Sequence, residues 1–215
     1  MALTKGNQTV LDAWALTANG SIRKGTFLDI SSAYSAKLFV KAALGEAVAS
    51  TGQPQVIVQV CGVNADPAAM EQWSTYFRAI GPVGTPVVLA VGDTEPIGET
   101  QIACTNPATA GIDWPGKFKF IKHTTPANSE IIYQTNLALD AEDFITILDG
   151  LENEQTAAAS IIVDIDSPTA EVVKQWTVMI DCIDLKGVRV IYDATYDPDG
   201  PDVYTSCQYI LNTGV

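Results

Sequence analysis

Histidine is all but missing: His123 is the single one in 215 residues, which nearly excludes histidine-based catalytic triads and histidine metal clusters. Cysteine is sparse and unpatterned. Cys61, Cys104, Cys182 and Cys207 form no C-x-x-C spacing, and each falls in a strand-like apolar stretch, so buried free thiols are expected over a disulfide or a metal site. Charged residues are only 17% against 47% hydrophobic, which leaves much of the surface to Thr, Asn, Gln and Ser, a kind of surface that often meets partners. No run approaches the ~18 apolar residues of a membrane span. The N-terminal "MALTKGNQTVLDAWALTANGSIRKG" has no apolar signal-peptide core, so the expectation is a soluble chain made in the cytoplasm, where the sequons at Asn7 and Asn19 carry no meaning. Helical periodicity is nearly absent, with one or two turns expected at most in "DPAAMEQW" (66–73) and "PTAEVVK" (168–174). There is no phosphate loop, G-x-S-x-G, H-E-x-x-H or zinc ligand set, and no catalytic, cofactor or metal residue is assigned. A carboxylate pair for glycoside hydrolysis stays open, because its spacing is spatial and the 25 acidic residues offer many pairs.

Positive charge is scarce too, and unevenly so. The formal charge is −13 overall, yet residues 1–80 hold six basic and five acidic residues, or +1, leaving −14 for the rest. A strongly acidic remainder argues against nucleic acid or an anionic membrane as partner, since like charges repel the phosphates on which such binding depends.

What the chain has in abundance is period-two alternation. "QVIVQVCGV" (55–63) sets Val56, Val58 and Val60 on one face and Ile57, Gln59 and Cys61 on the other. Similar segments, broken by Gly, Pro, Asn and Asp, bring the count to about thirteen strands. They run from "TFLDIS" and "AKLFVKAAL" through "EQWSTYFRAI", "TPVVLAV" and "ETQIAC" to "GVRVIYDA" and "DVYTSCQYIL". This is an all-β pattern, an antiparallel β-sandwich or jelly roll and not a set of βαβ units. Residues 1–25 read as an extended N-terminal arm whose Val10, Leu11, Trp14 and Leu16 need something to pack on, a neighbouring subunit being one candidate.

Three stretches invite a chemical reading. In "KFKFIKHTTPANSEIIYQTN" the alternation and the Pro126, Asn128, Ser129 turn predict a hairpin, with His123 at a strand end and Lys119 or Lys122 facing Glu130 across it. "YDATYDPDGPDVY" (192–204) fails as an EF-hand, having Thr195 and Ser206 where Asp and Glu are required; it reads as a turn-rich link, with an irregular Ca²⁺ site of Asp193, Asp197, Asp199 and Asp202 as the alternative. Trp14, Trp73, Trp114 and Trp176 offer stacking surfaces for sugars, although Trp73 and Trp176 lie in strand-like segments where core packing is commoner.

With those residues in view, the chain resembles a family of bacteriophage virion β-sandwich proteins. "GTFLDISSAYSAKLFVKAALGEAVASTGQPQVIVQV" is similar to that family's opening strands, "ATAGIDWPGKFKFIKHTTPANSEIIYQTN" with "FITILDGL" to an inserted β module, and "WTVMIDCIDLKGVRVIYDATYDPDGPDVYTSCQYI" to its closing strands. The resemblance implies an arm (1–25), a first sandwich part (26–104), an inserted module (105–171) and closing strands (172–215). It also implies a non-enzymatic structural protein of the virion that decorates or cements the capsid through contacts with the major capsid protein or other virion proteins. Such a protein is expected as a homo-oligomer, a trimer by preference, without cofactor, nucleic acid or membrane. Alternatives are a neck, tail or fibre-base adaptor and a glycan-binding module. A rival organisation is a doubled repeat, because "VIVQV" before "EQWSTYF" echoes "IIVDI" before "KQWTVMI".

Overall fold

A computed structural model describes residues 3–18, 20–44, 54–63, 66–82, 88–105, 118–135, 144–157, 161–164, 173–195 and 202–214. All regular elements there are strands, apart from single 3-10 turns at Met70–Gln72 and Pro126–Asn128. The first of these turns lies in the 66–73 stretch; the 168–174 stretch falls mostly outside the described residues.

Two sheets form the sandwich. One runs in the order β1 (Leu3–Lys5) and β2 (Thr9–Thr17) along one flank of β16 (Val203–Gly214), then β5 (Ala33–Leu44), then β14 (Val173–Asp181). The other has β3 (Ile22–Lys24) and β4 (Leu28–Asp29) beside β15 (Gly187–Asp193), followed by β6 (Gln55–Cys61) and β7 (Trp73–Ile80). Every pairing is antiparallel. Opening and closing segments of the sequence thus complete each other, as β5 with β14 and β16, and β6 with β15. Alternation decides which side chains meet: Leu38, Val40 and Ala42 of β5 face Val56, Val58 and Val60 of β6 and Val188 and Val190 of β15 in one dry core.

The outer face of the β6–β15 sheet is covered as well, so these strands are buried on both sides. Arg189 lies there, its guanidinium 3.9 Å from the Trp73 ring centre, donating to Gln59 Oε1 at 3.0 Å and lying 3.6 Å from Asp66. Burial lowers the Arg189 pKa from its ordinary value, with Asp66 opposing that shift.

The third sheet belongs to the segment between β7 and β14. Its order is β11 (Glu130–Tyr133), β10 (Phe118–Lys122), β13 (Ile161–Asp164), β8 (Val88–Val91), β9 (Gln101–Thr105), β12 (Phe144–Thr146). The ends of this row meet. Gln134 bridges to Ile147, Thr135 N–H donates to Thr146 O at 2.8 Å and Leu148 N–H to Tyr133 O at 2.9 Å, so the six strands close into a small barrel that leaves no free edge. Val91, Ile102, Cys104, Ile121, Ile132, Ile145 and Ile147 fill it, with Leu151.

Strand pairing departs from the sequence reading at three places. Residues 88–105 were expected in the sandwich, before a module starting at 105, but β8 and β9 pair into the barrel; a period-two pattern says that a strand is half-buried, not which core buries it. The arm is extended as expected, yet it is laid along its own chain. β2 is bonded to β16, with two bulges around Asp12, and its Trp14 packs on Phe120, while Val10 and Leu16 are exposed. The doubled repeat is excluded by topology, since β6 and β7 are neighbours in one sheet while β13 and β14 lie in different ones.

Candidate functional site

The barrel stands on the outer face of the β16–β5 sheet. Phe120, outward on β10 and fully buried, inserts between Trp14 of β2 (ring centres 4.8 Å apart) and Tyr204 of β16 (5.8 Å), and Lys122 covers the Tyr204 ring at 5.6 Å. Ile131, opposite Phe120 on β11, packs on the same cluster. A trough lined by both bodies runs beside this junction.

Three linked clefts make up the trough. The outermost, about 350 Å³, is lined by Phe118, Tyr133, Leu148, Asp149 and Glu152. Through Glu130, Ile131 and Glu152 it joins a middle cleft of about 290 Å³ that reaches Val10, Trp14, Lys41 and Gln208 of the sheet. Lys41 and Gln208 are shared in turn with an inner cleft of about 230 Å³ beside Phe39, Gln175 and Trp176. Alternation places Lys37, Phe39 and Lys41 on this face because Leu38 and Val40 take the core face.

The polar groups around the trough are tied down. Glu130, nearly fully buried, accepts from Glu152 N–H (2.9 Å), Asn153 N–H (3.1 Å) and Gln155 Nε2 (2.8 Å). Gln155 also exchanges backbone bonds with Glu95, and the Glu95 carboxylate accepts from Ala103 N–H at 2.8 Å, which pins the 148–157 loop across the barrel end. Asp12 accepts from the Thr26 hydroxyl at 2.7 Å and lies 3.6 Å from Arg23, which donates to Thr205. Gly25 is required there, since a Cβ would stand 2.6 Å from the Asp12 carboxylate.

His123 sits at the end of β10 beside the 126–128 turn, in the expected hairpin. Its Nδ1 accepts from Thr125 N–H at 2.8 Å and its Nε2 lies 3.4 Å from Thr156 Oγ1, while its backbone N–H donates to Ser129 Oγ. It fastens a turn, with hydroxyl and backbone groups around it. The expected Lys–Glu pairing across the hairpin is replaced: Glu130 stands opposite Ile121 and binds the 152–155 loop, and Lys119, on the barrel-interior side with Ile121, is wholly buried. Charge types read along a strand do not tell which loop will close over it.

Trp73 is buried against Arg189 and donates from its indole to Pro67 O at 2.9 Å; Trp14 is half-buried at the trough, Trp176, opposite Val40, is half-buried against the sandwich core, and Trp114 lies outside the described residues. In the acidic loop Asp193 accepts from the Thr195 amide and hydroxyl, Asp202 is half-buried, and Asp197 and Asp199 lie outside the described residues. Among the described residues no three His, Cys, Asp or Glu side chains cluster as metal ligands. All four cysteines are free and buried; desolvation raises Cys182 to about 11 and Cys207 to about 12. The trough itself went unseen in the sequence, because its residues come from strands far apart in the chain; the one available signal was the outward Phe118 beside Tyr133 in the hairpin.

No protein-family model matches the chain, and no curated protein matches it. Among solved structures it has been superposed on VP17, a capsid protein of bacteriophage P23-77 (10% identity over 100% of both chains, TM-score 0.24). A second is the infectious bursal disease virus VP2 subviral particle (11% identity, 99% of this chain and 41% of that one, TM-score 0.22). Superpositions with such TM-scores establish no common fold.

Proposed function

We propose that the chain is a structural protein of a bacteriophage virion, acting through protein–protein contacts to decorate or cement the capsid shell, with the barrel as a module inserted into the sandwich. The observation that carries this reading is how the polar side chains are used. Glu130, Asp12 and His123 fix loops and turns through backbone groups, and what remains on the surface is a long contact trough with apolar side chains at its mouth. The resemblance of the opening and closing strands to phage virion sandwiches points the same way. A homo-oligomer, a trimer by preference, would multiply weak contacts through effective concentration, with the major capsid protein or another virion protein as partner. Cryo-electron microscopy of the assembled particle tests the assignment. Density for the chain on the shell is expected; confinement to the neck, tail or fibre base would replace the capsid role with that of an adaptor.

A second reading, a glycan-binding module, is favoured by the exposed Tyr133 ring in the outermost cleft. It predicts binding on a carbohydrate array, and silence there removes it.

A further inference from the structure

The barrel wall formed by β10 and β11 is used twice along its length. Its inner half, Phe120 and Ile131, is covered by the sandwich. Its outer half continues the same apolar stripe and is exposed: Phe118 is 47%, Tyr133 37% and Leu148 62% exposed, and the first two rings meet edge to face at 5.0 Å. Scattered exposed apolar residues need no explanation, but a stripe continuous with a buried interface and floored by a cleft marks a contact surface. Asp149 and Glu152, both exposed, flank this half. The loop that carries Glu152 is held in place by the Glu130 carboxylate, so the acidic rim is preorganised. The barrel segment as a whole, residues 88–164, holds three basic against twelve acidic residues, a formal charge of −9. At the inner end of the trough the chemistry changes sign and becomes amide-rich, with Lys41, Gln175 and Gln208.

We propose that this trough is a docking groove for an extended polypeptide segment of a partner protein, one that brings aliphatic and cationic side chains to the Phe118, Tyr133 and Leu148 end. The apolar stripe takes the aliphatic groups and Asp149 and Glu152 the cations, while Lys41 and the two glutamines meet main-chain groups of the segment. A polypeptide fits better than a sugar because the described indoles are engaged: Trp14 is packed on Phe120, Trp73 on Arg189 and Trp176 against the sandwich core, which leaves no open indole platform among the described residues. This deepens the assembly reading by naming its contact surface. Its test needs no virion, so its failure is separate from a failure of the capsid assignment.

The full chain would be titrated calorimetrically with a synthetic peptide of alternating valine and lysine, and with its valine–glutamate counterpart. The lysine peptide is expected to bind and the glutamate peptide not. Leu148→Ser and the pair Asp149→Lys/Glu152→Lys should each weaken binding by about tenfold or more, roughly the worth of one good contact. The pair Glu71→Lys/Asp93→Lys makes the same charge change on exposed sites elsewhere and should leave affinity within about twofold. All substituted residues are exposed, and matching thermal melts would confirm that the variants fold. Equal loss in the control pair, equal binding of both peptides, or indifference to Leu148→Ser overturns the proposal. So does a soluble oligosaccharide that binds the wild type and fails to bind Leu148→Ser, or a wild-type dimer in sedimentation that Leu148→Ser dissolves.

Discussion

Removing the Phe120 ring should undo the junction between barrel and sandwich. The ring is fully buried and contacts Trp14 at 4.8 Å and Tyr204 at 5.8 Å. Truncation of a buried Phe to Ala costs about 3–5 kcal/mol in lost transfer energy and cavity, and aromatic pairing contributes about 0.5–1.5 kcal/mol of its own. The upper part of that range is expected, because the walls of the cavity belong to two bodies and to strand β2, held from one side by β16. For a chain of this size each kcal/mol moves the melting temperature by about 2–4 °C, so Phe120→Ala, at about 4–5 kcal/mol, should lower it by about 8–20 °C, whereas Phe120→Leu, closer in volume, should cost less. Urea titration followed by tryptophan fluorescence gives the free energy, and calorimetry shows whether the loss falls on one transition or splits it. A loss of less than about 1 kcal/mol would refute the reasoning, for a side chain that matters so little cannot be the ring on which the two bodies meet.

Three further outcomes follow from the same structure. Glu130→Ala leaves the amides of Glu152 and Asn153 and the Gln155 side chain without their acceptor, at about 1–3 kcal/mol for each buried group left unpaired; hydrogen exchange at those two amides should speed up, and unchanged protection would contradict the role given to Glu130. Cys207, raised to about 12 chiefly by desolvation and then by Asp12, stays protonated in the fold, while an unfolded thiol ionises near ~8.5. Its contribution is therefore fully present below about pH 8.5 and is lost as pH rises toward 12, at about 1.4 kcal/mol per pH unit. Cys207→Ala should flatten the alkaline fall in urea midpoint by that slope, and native protein at pH 8 should resist thiol labelling; parallel pH curves would count against it. Deleting residues 1–17 strips β1 and β2 from β16 and uncovers Phe120, so aggregation or a broad melt is expected in place of a folded monomer. A truncated chain with a wild-type melt would show that β2 is an appendage.

Much of this fold was legible residue by residue, and the reasons for success and failure are the same. "QVIVQVC" and "GVRVIYD" became β6 and β15 because valines at every second position put one face of each strand in a core, and "KFKFIKHTTPANSEIIY" became a hairpin because proline and asparagine sit where the turn needs them. "TVLDAWALT" concealed a strand, since its bulges around Asp12 break the alternation that announces one. "VLAV" and "QIACT" were recognised as strands but assigned to the wrong core, because closure of the barrel depends on the Gln134–Ile147 bridge, a contact with no local signature. Glu130 was read as a surface partner for lysine; only the loop at 152–155, folded over it, makes it a buried acceptor. The trough was invisible for the same reason.

The charge asymmetry takes a different meaning once the bodies are distinguished. Along the sequence the break falls near residue 80, but residues 1–80 and 173–214 are interleaved in both sheets of the sandwich, so the near-neutral first part of the sequence is not a body of its own. The separation is between the barrel segment, at −9, and all the rest, which by difference from −13 carries −4 over more residues. Barrel carboxylates such as Asp149 and Glu152 are exposed beside apolar side chains, and charges of that kind act over about 8–10 Å before salt screens them. A partner met through the barrel wall is therefore steered by charge, and its association rate falls as salt is added. A partner met on the open sheet face, where Lys37 and Lys41 stand among Phe39, Gln175 and Gln208, encounters the opposite local charge. The sign of the salt-sensitive charge on the partner then tells which face carries the contact.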